Sequence, residues 1–194
     1  MAAFAVVVQA AAPGAGVRAR LVPAPVLRGE FEQEKRLQGF RNPLVSKGDF
    51  LVARERGVLW NTRSPFASTL VLTRQRLLSR QGDGPARSLA GAQASPVIAT
   101  ANALLMALLA GDIDALSAQF EMRETLATDG SWSLLLLPKA GPLRKIFKQI
   151  QLQGDRHVRS VQLDEVRGDR TVIRFLKLSD VPATLSAAES GQFD

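Results

Sequence analysis

The 194-residue chain has no cysteine. Disulfides, thiolate metal sites, a cysteine nucleophile and acylation of an N-terminal cysteine are therefore excluded. Histidine occurs once, as His157 after the turn Gly154-Asp155-Arg156, and no second ligand stands at metal-binding spacing. It reads as a surface loop residue, and no metal is expected. The acidic residues form no Asp-x-Asp or paired-carboxylate motif, and no serine sits in a Gly-x-Ser-x-Gly elbow. Gly14 and Gly16 lack the preceding strand and following Lys-Ser/Thr of a phosphate loop. No catalytic residue and no cofactor is expected, so the pattern suits a binding protein better than an enzyme. No apolar run approaches the roughly 20 residues that a membrane-spanning helix needs.

Charge is present in excess of one sign: 25 Lys+Arg against 18 Asp+Glu give +7. Such a balance points to nucleic acid or an anionic membrane surface. The basic residues are interspersed with acidic ones, as in Arg28-Gly29-Glu30 and Arg167-Gly168-Asp169-Arg170, with no lysine-rich tail and no interleaved aromatics for base stacking. Nucleic acid is not an expected partner.

The length suits one domain with a real core. Residues 1–16 are small and apolar, then glycine-rich, and read as a secretory-signal remnant or a disordered tail, although no Lys or Arg precedes the apolar run. Residues 17–180 form the expected folded domain, and 181–194 a polar C-terminal tail.

Phe31 to Thr73 organises the rest. Around Gly48-Asp49-Phe50-Leu51-Val52-Ala53-Arg54 and Gly57-Val58-Leu59-Trp60 it reads as short extended segments separated by charged or Ser-Pro turns. Strand residues alternate sides, so Phe50 and Val52 oppose Leu51, while Val58 and Trp60 oppose Leu59 and Asn61. A sheet with apolar groups on both faces must have both covered. Further strands are predicted over Leu27–Leu37, Thr69–Thr73 and Arg76–Arg80. Ser95-Pro96 opens a helix ending at Ala110-Gly111, apolar on more than one face through Leu104, Leu105, Leu108 and Leu109. Asp112 caps a short second helix through Ala118. Strands follow at Phe120–Thr125 and Trp132–Leu137, then a helix-to-strand segment over Leu143–Leu152. Val158–Val166 and Thr171–Leu178 alternate around Arg167-Gly168-Asp169 as an antiparallel hairpin.

These motifs, taken together, resemble the LolA family of periplasmic carriers of outer-membrane lipoproteins. The residues that carry the resemblance are Phe31-Glu32-Gln33, Gly48-Asp49-Phe50, Arg54, Leu59-Trp60, Ser64-Pro65-Phe66 and Leu70-Val71-Leu72. Later come Leu108-Leu109-Ala110-Gly111-Asp112 and the Trp132 strand running into Pro138-Lys139, so the likeness spans about Leu21 to Leu178. Departures are Glu55 in place of proline after Arg54 and the prolines at 23 and 25.

The resemblance implies a mainly β (α+β) fold: a single curved antiparallel sheet forming an unclosed half-barrel, covered by a helical lid. It implies a monomeric carrier of acyl chains, loaded by an inner-membrane export complex and unloaded at an outer-membrane acceptor. By position in the motif, Arg54 is the lid latch. Expected lipid-binding residues are Phe50, Val52, Trp60, Leu70, Leu72, Leu105, Leu109, Trp132 and Leu134. Two alternatives stand beside lipoprotein cargo, a carrier of polyene-type pigment lipids and an envelope lipid-sensing module of the same fold.

Overall fold

The computed structural model describes residues 12–73, 76–82, 84–88, 104, 106–108 and 110–193. Its frame is one antiparallel sheet. The strands are β1 (Val26–Arg36), β2 (Leu44–Ala53), β3 (Gly57–Ser64), β4 (Ser68–Leu72), β5 (Leu77–Gln81), β6 (Arg87–Ser88), β7 (Phe120–Leu126), β8 (Trp132–Pro138), β9 (Phe147–Gly154), β10 (Val158–Glu165) and β11 (Arg170–Ser179). They lie in the order β6-β5-β4-β3-β2-β1-β11-β10-β9-β8-β7. Its two edge strands, β6 and β7, do not pair among the described residues, so the sheet is a half-barrel and not a closed one. Two meanders are joined where β1 pairs with β11, with Phe31 opposite Phe175.

The short helices are α1 (Ala15–Arg20), α2 (Ile113–Gln119), α3 (Pro142–Ile146) and α4 (Ala187–Gly191). Leu104, Met106, Ala107, Leu108 and Ala110 are also helical. Asp112 caps α2 as its sequence position predicts, its carboxylate accepting from the Ala115 amide at 3.0 Å. None of the described helices is long and apolar enough to cross a membrane.

Both sheet faces are apolar, and the register shows how. Phe50 pairs with Trp60, and Trp60 in turn with Leu70; Val52, Val58 and Leu72 line up likewise. These residues share the inner face, because directly opposed strand residues point the same way. Leu51, Leu59 and Val71 occupy the next row, on the outer face. The inner face packs against Val17 of α1, Leu104, Ala107 and Leu108, and Ile113 and Leu116 of α2.

The outer face of β1 to β3 is covered by the chain's own C-terminal segment. Leu185 and Phe193 pack on Val26, Leu51, Ala53 and Leu59, and Phe193 is buried. Three arginines hold this segment down. Arg28 donates through Nε and Nη2 to the Glu189 carboxylate (2.7 and 2.8 Å) and also to the carbonyls of Pro182 and Thr184. Arg76 donates to the Phe193 carbonyl, and Arg56 donates to the Ser190 carbonyl while lying 5.8 Å from the Phe193 ring centre. Ser186 and Glu189 form a reciprocal capping box at the start of α4.

Acid is expected to weaken this clasp. The Glu189 carboxyl is lowered from 4.5 to about 2, first by the Arg28 hydrogen bonds and then by the Ser186 amide. A depressed carboxyl contributes stability above its unfolded value and loses it as the pH falls through the folded value. The contribution is therefore complete above about pH 4.5 and disappears toward pH 2. Protection of the Gln192 and Phe193 amides, taken relative to their intrinsic exchange rate at each pH, is expected to fall across that window. Glu189→Gln should show the lower protection already at neutral pH and no acid step.

Candidate functional site

At the end of the half-barrel where β1 begins and β2 ends, a cleft of about 240 Å³ opens between sheet and helices. Its apolar wall comes from Leu27 of β1, Val52 of β2, Val158 of β10 and Ile113 of α2, with Leu21 and Ala24 from the segment after α1. Pro23 and the extended backbone at Leu21 keep that segment from continuing α1. Two backbone bonds dock it instead, from Val22 N–H to the Arg156 carbonyl (2.8 Å) and from Arg54 N–H to the Pro25 carbonyl (3.0 Å).

The polar rim consists of Arg18, Arg54, Asp112, Asp114 and His157. Arg18 pairs with Asp114, which ties α1 to α2 across the mouth. Arg54 sits in the β2–β3 turn, exposed, facing the same cleft as Ala110, Gly111 and Asp112. Its side chain makes no hydrogen bond or ion pair among the described residues.

His157 differs from the sequence reading, which placed it on the surface. It is 7% exposed, with Nε2 3.5 Å from an Asp180 carboxylate oxygen. Burial lowers its pKa and outweighs the opposing pull of Asp180, while Arg156 and Arg159 lower it further. The imidazole is therefore neutral at pH 7. Among the described residues no group of His, Asp and Glu could hold a metal ion.

Behind the cleft lies an aromatic cluster. Phe31 stacks on Trp60 with ring centres 3.9 Å apart, and Phe175 meets Phe50 edge-on at 5.1 Å and Trp60 at 6.3 Å. Of the expected lipid-binding residues, Phe50, Val52, Leu72, Trp132 and Leu134 are buried in one apolar cluster, and Trp60 packs against it half-buried. Leu70 shares the face of Trp60 by register but is only half-buried and lies outside that cluster. Leu105 and Leu109 lie outside the described residues.

The cleft itself is lined by Val52 and Arg54 from the expected set; its other walls were not foreseen. Phe31 and Phe175 were also missed as inner-face residues. Their signal was present, since each is the aromatic member of an alternating strand, Phe31 between Glu30 and Glu32, Phe175 between Arg174 and Leu176.

Among the described residues, no nucleophile stands beside a base at this cleft. The described residues offer an apolar face, helices packed over it and a charged rim.

A DUF1329 family protein from Desulfovibrio piger superposes with a TM-score of 0.50 at 14% identity, covering 92% of this chain and 96% of that one. A LolA superfamily protein from Nitrosomonas europaea gives 0.42 at 8% identity, covering 84% and 90%. MucB, in its complex with MucA from Pseudomonas aeruginosa, gives 0.47 at 18% identity over 87% of this chain, which spans 55% of the length of that one. No curated protein matches the chain. Residues 24–188 match the profile of the outer membrane lipoprotein carrier protein LolA, and the chain belongs to that family.

Proposed function

We propose that this protein is a periplasmic carrier that takes the acyl chains of lipoproteins, or of other acylated lipids, under its helical cover and delivers them toward the outer membrane. The observation that carries the reading is the cleft. An apolar inner face continues to the open end of the half-barrel, where, among the described residues, helices and a docked segment close it. At about 240 Å³ the opening is smaller than the roughly 300–1,000 Å³ of pockets that enclose small ligands. Loading therefore requires α1, α2 and the helical residues near Leu104 to move outward. Acyl methylenes, at about 0.8 kcal/mol each, replace their contacts. Because cover and cargo compete for one surface, the empty state limits affinity and makes release feasible.

Arg54 is the proposed latch. A guanidinium at an apolar mouth is costly to bury without a partner, so it opposes entry of an acyl chain. Arg54→Leu removes that cost and adds apolar surface. The variant is expected to bind a fluorescent fatty-acyl probe about tenfold more tightly. Unchanged or weaker binding, with the unfolding midpoint preserved, would remove Arg54 from the mechanism. Loading and unloading partners are an inner-membrane complex and an outer-membrane acceptor.

A further inference from the structure

The end of the half-barrel opposite the cleft carries a different chemistry. Register places three turns there: β1–β2, closed by Lys35 opposite Leu44; β3–β4, closed by Thr62 opposite Ser68; and β10–β11, closed by Asp164 opposite Arg170. The first and third touch, the Gln38 amide donating to Asp169 at 2.9 Å. Phe66, in the β3–β4 turn, is 83% exposed and Phe40, in the β1–β2 turn, 72%. Leu44, Val45 and Val166 on the same rim are exposed too.

Around these apolar tips the unmatched charge is basic. Glu34 is paired with Arg36, Glu165 with Lys35 and Asp164 with Arg170. Arg41, Arg144, Lys145 and Arg167 have no acidic partner among the described residues. The last three reach this rim because Val166 N–H bonds the Ile146 carbonyl at the end of α3. Asp169 is engaged by a backbone amide, and Glu121 lies in a groove with Lys139, Arg144 and Lys148.

We propose that this rim docks the protein on an anionic phospholipid surface, with Phe40 and Phe66 inserted at the headgroup–acyl boundary. Apolar insertion and attraction to anionic lipid are each weak and become effective together. Two rings on separate projecting turns, with unpaired cations about them, match a soft negative surface. A protein partner would need two pockets at the spacing of the turns. The rim lies at the far ends of the strands that form the cleft, so docking does not depend on what the cleft binds.

The test is co-sedimentation of the intact chain with phosphatidylcholine vesicles, with and without phosphatidylglycerol. Binding is expected only to the anionic vesicles and should weaken with added salt. Phe40→Ser with Phe66→Ser keeps the net charge, and both side chains are exposed, so folding should be unchanged. Its partition should fall about tenfold or more. Arg144→Glu with Lys145→Glu should abolish the preference for anionic lipid. Equal binding by the Phe40/Phe66 variant, or no dependence on phosphatidylglycerol, overturns the proposal. So does a dimer in analytical ultracentrifugation that those two serines dissociate, which would assign the rim to a second copy of the chain.

Discussion

Gly48→Ala is expected to unfold the half-barrel at temperatures where the native chain is stable. Gly48 sits in β2 between Phe31 of β1 and Thr62 of β3, beside a register shift at Lys47. A Cβ there would lie 1.8 Å from the Asn61 carbonyl oxygen and 2.8 Å from the Phe31 ring. The first of these is backbone of the neighbouring strand and cannot rotate away, so β3 must shift or the pairing must break. Overpacking that moves backbone costs about 3 kcal/mol or more, which in a chain of this length lowers the melting temperature by roughly 10 °C. Gly191→Ala serves as the control. Nothing lies within 4 Å of its added methyl, and it sits at the end of α4. Thermal unfolding followed by circular dichroism separates the two. Equal midpoints would mean that β2 and β3 do not approach as closely as described.

Phe31→Ala should produce the second large effect. The ring is 1% exposed, stacks on Trp60 and lies over Gly48. Removing a buried phenylalanine costs about 3–5 kcal/mol, with the spread set by how far the surroundings collapse. Here collapse is limited, because Phe31 stands where the two meanders join and both neighbouring strands hold their register through it. Trp60, half-buried on the same face, should shift its fluorescence to longer wavelength as water reaches the vacated space. A denaturation midpoint close to that of the native chain would show that the aromatic cluster is not the centre of the inner face.

Local pattern carried much of the fold. Alternation at Phe50, Leu51 and Val52 assigned each side chain to its face, Asp112 marked the start of α2, and the turn at Arg167–Asp169 marked the last hairpin. These are properties of a few consecutive residues. The family motifs supplied the open half-barrel, which period alone does not dictate, because a run of antiparallel strands fits a sandwich equally well.

What escaped the sequence depends on distant partners. His157 is buried by Asp180 and by the segment docked through Val22, neither of which is visible from its own turn. The residues from 181 onward looked polar because Leu185 and Phe193 are eight positions apart with no period between them. Their burial comes from an outer-face row on β1 to β3 and from Arg28, which lies 161 positions before Glu189. This also answers how a two-faced apolar sheet stays covered: the inner face has the helices, and the outer face has the chain's own end.

The inner face is proposed to hold acyl chains. Native mass spectrometry of the chain isolated from a periplasmic fraction, followed by lipid extraction, tests it most directly. A species heavier than the bare chain by an acylated lipid, released by a fatty-acyl competitor, is expected. A bare mass throughout, with no binding of hydrophobic fluorescent probes, would contradict it and leave the inner face as ordinary core.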